Sequence, residues 1–150
     1  MKKSQKGQSL FEVVLALGVI TLVTVGIVIL TSNAVKNATF SRNKNLASKL
    51  AQEATEWLRS ERENNLTVFL TNTYSTATYC LDSNSINWNN IGSCGSSELV
   101  NAIFKREVSF TRSLVNSKTL IQADIKVSWN DSLGYHESRS VTNFTDIREQ

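Results

Sequence analysis

The chain has no proline anywhere in its 150 residues. No position therefore carries the residue that most reliably breaks a helix or ends a central strand. Cysteine is nearly absent too: Cys80 and Cys94 are too few for a disulfide-dense scaffold or a zinc cluster. The single histidine, His136, has no second histidine or spare thiol with which to hold a metal or relay a proton. Gly92-Ser93-Cys94-Gly95 lacks the lysine and the strand-to-helix setting of a phosphate loop. No HExxH or G-x-S-x-G occurs. Asp82-Ser83-Asn84 opens like a calcium loop, but Ile86 stands where a ligand should be and no closing glutamate follows. The expectation is a chain that is not an enzyme and has no cofactor.

What is present is unevenly spread. Charged residues make up 19% of the chain, and three Trp, three Tyr and six Phe argue against global disorder. The length suits one domain, or a small domain with an appendage. The net charge of +3 comes from Lys2, Lys3 and Lys6; beyond Gly7, thirteen basic residues balance thirteen acidic ones. The basic pI thus reports a short leader and lends nucleic-acid binding no support.

From Val13 to Val35 there are 23 residues without a charge. As a helix they span about 34 Å, against about 30 Å for a hydrocarbon core. The run is apolar on all sides rather than along one stripe. A buried core helix is the rival, but a chain this short could hardly surround it. A cleaved secretory signal is the other rival. Its apolar region is shorter, and Thr31-Ser32-Asn33-Ala34 is a poor cleavage site. Glu12 sits among Leu10-Phe11 and Val13-Val14, and an acid in such a run is costly unless it has a task. The bland alternative places Glu12 solvated at headgroup level.

Lys6-Gly7-Gln8-Ser9-Leu10-Phe11-Glu12, followed by the apolar run, resembles the type IV prepilin signature. The resemblance implies a basic leader at residues 1–7, cleaved after Gly7 by a prepilin peptidase on the cytoplasmic side. The new N-terminus at Gln8 is then methylated. The apolar helix is retained for assembly, with Glu12 as the assembly acid. Gln8 stands where the family more often has phenylalanine or methionine, and the proline that many major pilins carry in this helix is missing.

The helical pattern continues. Residues 36–64 contain neither proline nor glycine, and Leu46, Ala47, Leu50, Ala51, Ala54, Trp57 and Leu58 share one face. Lys49–Glu53 and Arg59–Glu63 have i,i+4 spacing, and Asn64-Asn65 is a plausible stop. Ala34–Asn45 is sparsely patterned, as in the looser middle of one long helix. Residues 66–100 read as loop, with Ala77–Leu81 a candidate strand. Cys80 and Cys94 read as one disulfide if that part lies in an oxidising compartment, the alternative being two buried thiols. Phe104, Val108 and Phe110 mark a strand whose alternation Arg106 breaks. Ile121, Ala123, Ile125, Val127 and Trp129 alternate without fault. Asn130–Gly134 is a turn. A last strand runs near Glu137–Ile147, where the parity of Val141 and Phe144 suggests a bulge.

The expected fold is α+β: a long N-terminal helix, first half transmembrane, packed on a small antiparallel sheet. The boundaries are 1–7 for the leader, 8–35 for the transmembrane half, 36–65 for the amphipathic half and 66–150 for the head. Tyr79-Cys80-Leu81, the tryptophan-bearing cysteine loop and the late Val127-Ser128-Trp129 strand are similar to minor pilins of the pilus-modification type. The resemblance implies a structural subunit of a type IV pilus, minor rather than major. Its implied partners are the prepilin peptidase, other pilins and the cytoplasmic membrane before assembly, with the head outside. A pseudopilin of a type II secretion or DNA-uptake machine shares these features, and related pseudopilins keep Asp131 as a calcium candidate. A plain single-pass anchored binding protein is the reading from another class.

Overall fold

The computed structural model describes residues 8–74, 77–82, 85–115 and 118–145. The architecture is α+β, with one long helix and a four-stranded antiparallel sheet in the order β1-β2-β3-β4. Helix α1 runs Gln8–Asn64 without interruption and α2 covers Leu66–Asn72. The strands are β1 (Thr78–Cys80), β2 (Lys105–Val115), β3 (Lys118–Asp131) and β4 (Gly134–Thr145). By contacts the chain divides into two compact units, Met1–Thr39 and Phe40–Gln150.

Within the second unit the C-terminal part of α1 lies on one face of the sheet. Ala47, Leu50, Ala51, Ala54 and Leu58 are buried against Phe104, Val108, Phe110, Ile121, Ile125, Val127, Trp129 and Phe144. Alanines on the helix allow close approach, and the large residues come from the sheet, so volumes alternate across the interface. Lys44 Nζ donates to the Glu137 carbonyl (2.8 Å), and Arg62 Nε donates to the Thr145 carbonyl (3.1 Å). Those helix positions lie roughly 27 Å apart along an α-helix, and the strand positions lie roughly 27 Å apart along a strand. The matching rises show that α1 runs along β4 in the same direction.

Helix α1 ends at Asn64, where the paired asparagines predicted a stop. The pairs expected on its surface are rearranged. Arg59 bonds Glu56 at 2.7 Å, while Glu53 is drawn to Arg106 at 3.1 Å. The segment 66–100 is not all loop, because α2 occupies Leu66–Asn72. Its last turn is closed by Arg112, whose Nη2 donates to Leu70 O (2.6 Å) and whose Nε donates to Thr73 O (2.9 Å). A cation at the C-terminal carbonyls satisfies free acceptors and suits the helix dipole.

Two further expectations are corrected. Arg106 does not break the alternation of β2; it is in phase with Phe104, Val108 and Phe110 and is fully buried on the helix side. The last strand has no bulge, because β3 and β4 pair in unbroken register from Asp131↔Gly134 to Leu120↔Thr145. Val141 is exposed and Phe144 buried because they lie on opposite faces. Ile147, the expected end of that strand, lies outside the described residues, as do Ser83 and Asn84 of the calcium-like triplet.

Candidate functional site

The residues singled out for processing and assembly lie at the start of α1. Gly7 and the lysines before it fall outside the described residues. Gln8 is the first residue of the helix. Glu12 stands one helical turn further on, exposed, and among the described residues it has no hydrogen bond or ion pair. Around and beyond it, every large apolar side chain from Leu10 to Leu30 is at least half exposed, from 52% at Val19 to 75% at Leu22. Soluble monomers rarely show an apolar surface of that extent. The helix is long and apolar enough to cross a membrane.

The polar residues inside this stretch do not spoil it. Thr21, Thr24 and Thr31 each donate their hydroxyl to the carbonyl four residues back, at 2.7–2.8 Å. Their hydrogen-bonding capacity is met within the helix, so they ask nothing of a lipid or of a neighbouring apolar helix. Among the described residues from Leu10 to Thr31, Glu12 is the one ionisable side chain, and it has no partner within the protein.

In the second unit Cys80 and Cys94 are joined in a disulfide, and both are buried. The loop between them is fastened by Trp88. Its ring packs on Trp57, Tyr79 and Phe110, and its indole N–H donates to Glu61 at 3.0 Å. Glu107, on the face of β2 away from α1, accepts the Cys94 N–H at 2.9 Å and pairs with Lys126 at 2.8 Å. That bond to Glu107 holds the Lys126 ammonium above its ordinary pKa. Nothing in the spacing of residues 104–110 announces that Glu107 anchors the cysteine loop; the signal is only an acid opposite a lysine in the β2–β3 register.

Arg106 is the other residue that sequence reasoning missed. Its guanidinium donates to Leu81 O (3.0 Å), to Leu50 O (3.5 Å) and to Glu53 Oε2 (3.1 Å). Burial pulls its pKa below the ordinary guanidinium value, with Glu53 and Asp82 acting in the opposite sense. One side chain thus ties together β2, α1 and the segment after β1.

The remaining candidates take structural places. His136 Nε2 lies 2.9 Å from Asp131 Oδ1, and its ring packs on Phe40 and Trp129. Asp131 Oδ1 also accepts the Leu133 N–H at 2.8 Å, which fixes the β3–β4 turn. Among the described residues no three His, Cys, Asp or Glu side chains group to hold a metal ion. A polar cleft of about 220 Å³ on the outer face of the sheet is lined by Glu107, Asp124, Lys126 and Arg139. Those charges are paired within it or with Glu137. Comparison of the chain with protein-family models, with curated proteins and with solved structures returns no match.

Proposed function

We propose that this chain is a structural subunit of a type IV pilus, of the minor class. It is held in the cytoplasmic membrane by α1 with its head outside, cut after Gly7 by a prepilin peptidase, methylated at Gln8 and then drawn into a fibre. The observation that carries this reading is Glu12: one acid without a partner in a helix surface that is otherwise apolar and exposed. Such a carboxylate is tolerated inside a bundle of apolar helices only when a cation meets it. The freed amine of Gln8 on a neighbouring subunit is that cation. The pair adds little net stability, because desolvation offsets most of the attraction, but it sets the register of one helix against the next. The buried disulfide suits a head that lies in an oxidising compartment.

Mass spectrometry of the protein isolated from its native cell tests the processing step. The expected product begins at a methylated Gln8. Protein still carrying Met1–Gly7 and showing no tendency to join filaments would leave only a single-pass anchored protein. The Glu12→Gln variant tests the assembly step: it should remain membrane-bound and processed, yet enter fibres poorly. Normal incorporation of that variant would remove the ion pair from the account.

A further inference from the structure

One end of the unit Phe40–Gln150 is marked by the start of its helical segment. Phe40 packs its ring on His136 (centroids 5.0 Å apart) and on Trp129 (6.3 Å), and Lys44 holds the Glu137 carbonyl. Because α1 and β4 run in the same direction, the β3–β4 turn lies at this same end. The uncharged run stops at Val35, five residues before Phe40. Five residues cover about 8 Å as helix and no more than about 18 Å however the chain runs. The headgroup layer beyond the hydrocarbon is itself about 5–8 Å deep. A chain whose apolar run enters a bilayer therefore keeps this end of the unit within reach of the lipid surface.

Two features of this end suit such a surface. At the β3–β4 turn Leu133 is 50% exposed and Tyr135 59%. Side chains of this kind gain at a bilayer edge, where an apolar body is covered while a phenol stays wet. The cations of this end have no acid to answer them. From Val13 to Gln52 the sequence holds Lys36, Arg42, Lys44 and Lys49 and neither aspartate nor glutamate. Among the described residues Arg42 is exposed with no hydrogen bond or ion pair, and Lys44 bonds only a carbonyl. Beside Tyr135 a cleft of about 400 Å³ has Lys105 as its one charged lining residue among those described. Lys105 Nζ donates to the Cys94 carbonyl (3.1 Å) and meets no carboxylate. The acids nearby are already engaged. Asp131 accepts the Leu133 N–H and faces His136, Glu137 pairs with Arg139, and Glu98, next in sequence to the cleft's Leu99, accepts the Gly95 N–H (2.6 Å).

We propose that this end of the unit docks on anionic phospholipid at the leaflet where α1 emerges, with Leu133 and Tyr135 in the headgroup layer and Arg42, Lys44 and Lys105 against lipid phosphates. A cation close to an anionic bilayer contributes about 1 kcal/mol, and the attraction reaches about one Debye length. The same cations attract any phosphate-bearing surface. Two observations favour lipid over nucleic acid: the exposed Leu133 has nothing to gain on a sugar–phosphate backbone, and the short connection to the uncharged run holds a bilayer beside these residues. The docking needs α1 to enter a bilayer, as the proposed function does, and uses neither cleavage nor fibre assembly.

The test uses the full chain in lipid nanodiscs, made either of phosphatidylcholine alone or of phosphatidylcholine with phosphatidylglycerol, each with a trace of lipid spin-labelled at the headgroup. The readout is paramagnetic broadening of backbone amides. Broadening at residues 132–135 should be about twofold stronger or more when phosphatidylglycerol is present. Residues 112–114, at the Thr145 end of the sheet, should be untouched in both discs. Arg42→Glu reverses a charge that holds nothing in the fold, and it should cancel most of that gain. Leu133→Ser keeps the backbone of the turn and should weaken the broadening in both lipids. Equal broadening in the two discs, or an unchanged gain with Arg42→Glu, would overturn the docking while leaving α1 in the membrane. Failure of the chain to enter either disc would overturn the membrane reading and the docking with it. Perturbation of residues 132–135 by added duplex DNA, with no effect of phosphatidylglycerol, would assign the cations to nucleic acid instead.

Discussion

Arg106 shows how much one side chain can be asked to do. It is buried, charged and bound to a carboxylate and a carbonyl of α1 and to a carbonyl of the segment after β1. Truncation removes the donor to the Leu81 carbonyl, leaves Glu53 without its guanidinium and opens a hole under α1. Arg106→Ala should therefore lower stability by about 3 kcal/mol, read as a shift of the urea midpoint at unchanged slope. Glu53→Gln should cost less, because Glu53 is half exposed and a neutral amide still accepts the guanidinium bond. The sequence hides this residue for a physical reason. A charge at an inward position looks like a break in the pattern, and only partners 25 and 53 positions away make its burial tolerable.

The carboxylates near the β3–β4 turn make stability depend on acid. Asp131 is held below the ordinary carboxylate range, first by the Leu133 N–H and then by His136; Glu137 is held there chiefly by Arg139. A carboxyl whose folded pKa is depressed stabilises the fold above the ordinary range, and that contribution disappears as pH falls through the lower folded value. Asp131→Asn should accordingly flatten the acid limb of a stability profile taken from about pH 6 to about pH 3. An acid limb identical to that of the parent would show that the turn does not carry the linkage.

At the scale of elements, the fastening of the cysteine loop separates chain connectivity from packing. The disulfide joins Cys80 and Cys94 across a sequence separation of 14. Replacing both cysteines by serine should cost about 3 kcal/mol in the chain-entropy view. The loop should nevertheless stay docked at room temperature, because Trp88, Glu107 and the Cys80–Asn90 bond also hold it. Full loss of the Trp88 contacts in that variant would show that the covalent link alone positions the loop. A smaller effect is expected at Ala102, which adopts φ +65° although it is not glycine. Ala102→Gly should raise stability by about 1 kcal/mol.

Elements were legible in the sequence where a long pattern spoke for them. Strand β3 has five inward residues in strict alternation, all buried, and α1 has an apolar run followed by a one-sided stripe. Helix α2 was not legible: Leu66–Asn72 is two turns long, rich in threonine, and held by Arg112 from a strand forty residues later. The place of β4 at the end of the strand order was equally invisible, since which strand ends a sheet is set by the order of pairing rather than by the strand's own residues. At the start of α1 the reverse holds. Glu12 stands out in the sequence because an isolated acid in an apolar run needs no tertiary information to be conspicuous.

At the scale of the molecule, two kinds of surface coexist in one chain. Residues 10–30 present apolar side chains outward, while the described residues from Phe40 to Thr145 enclose a buried apolar core. The protein should therefore partition into a detergent-rich phase through the first unit alone. A charge in its middle, Leu22→Lys, should disfavour membrane insertion by about 3 kcal/mol, measured as the fraction of chain recovered with membranes. Unchanged recovery would mean that α1 does not enter the hydrocarbon. The head's packing should be untouched by that substitution, because Leu22 has no place in its core.

The aromatic cluster around Trp88 has a practical corollary. Trp57, Trp88 and Trp129, and every tyrosine, fall after residue 40, so the greasy rod is dark at indole wavelengths. Intrinsic fluorescence of the solubilised chain consequently watches the second unit melt and nothing else, with no label and no need to cut the apolar segment away.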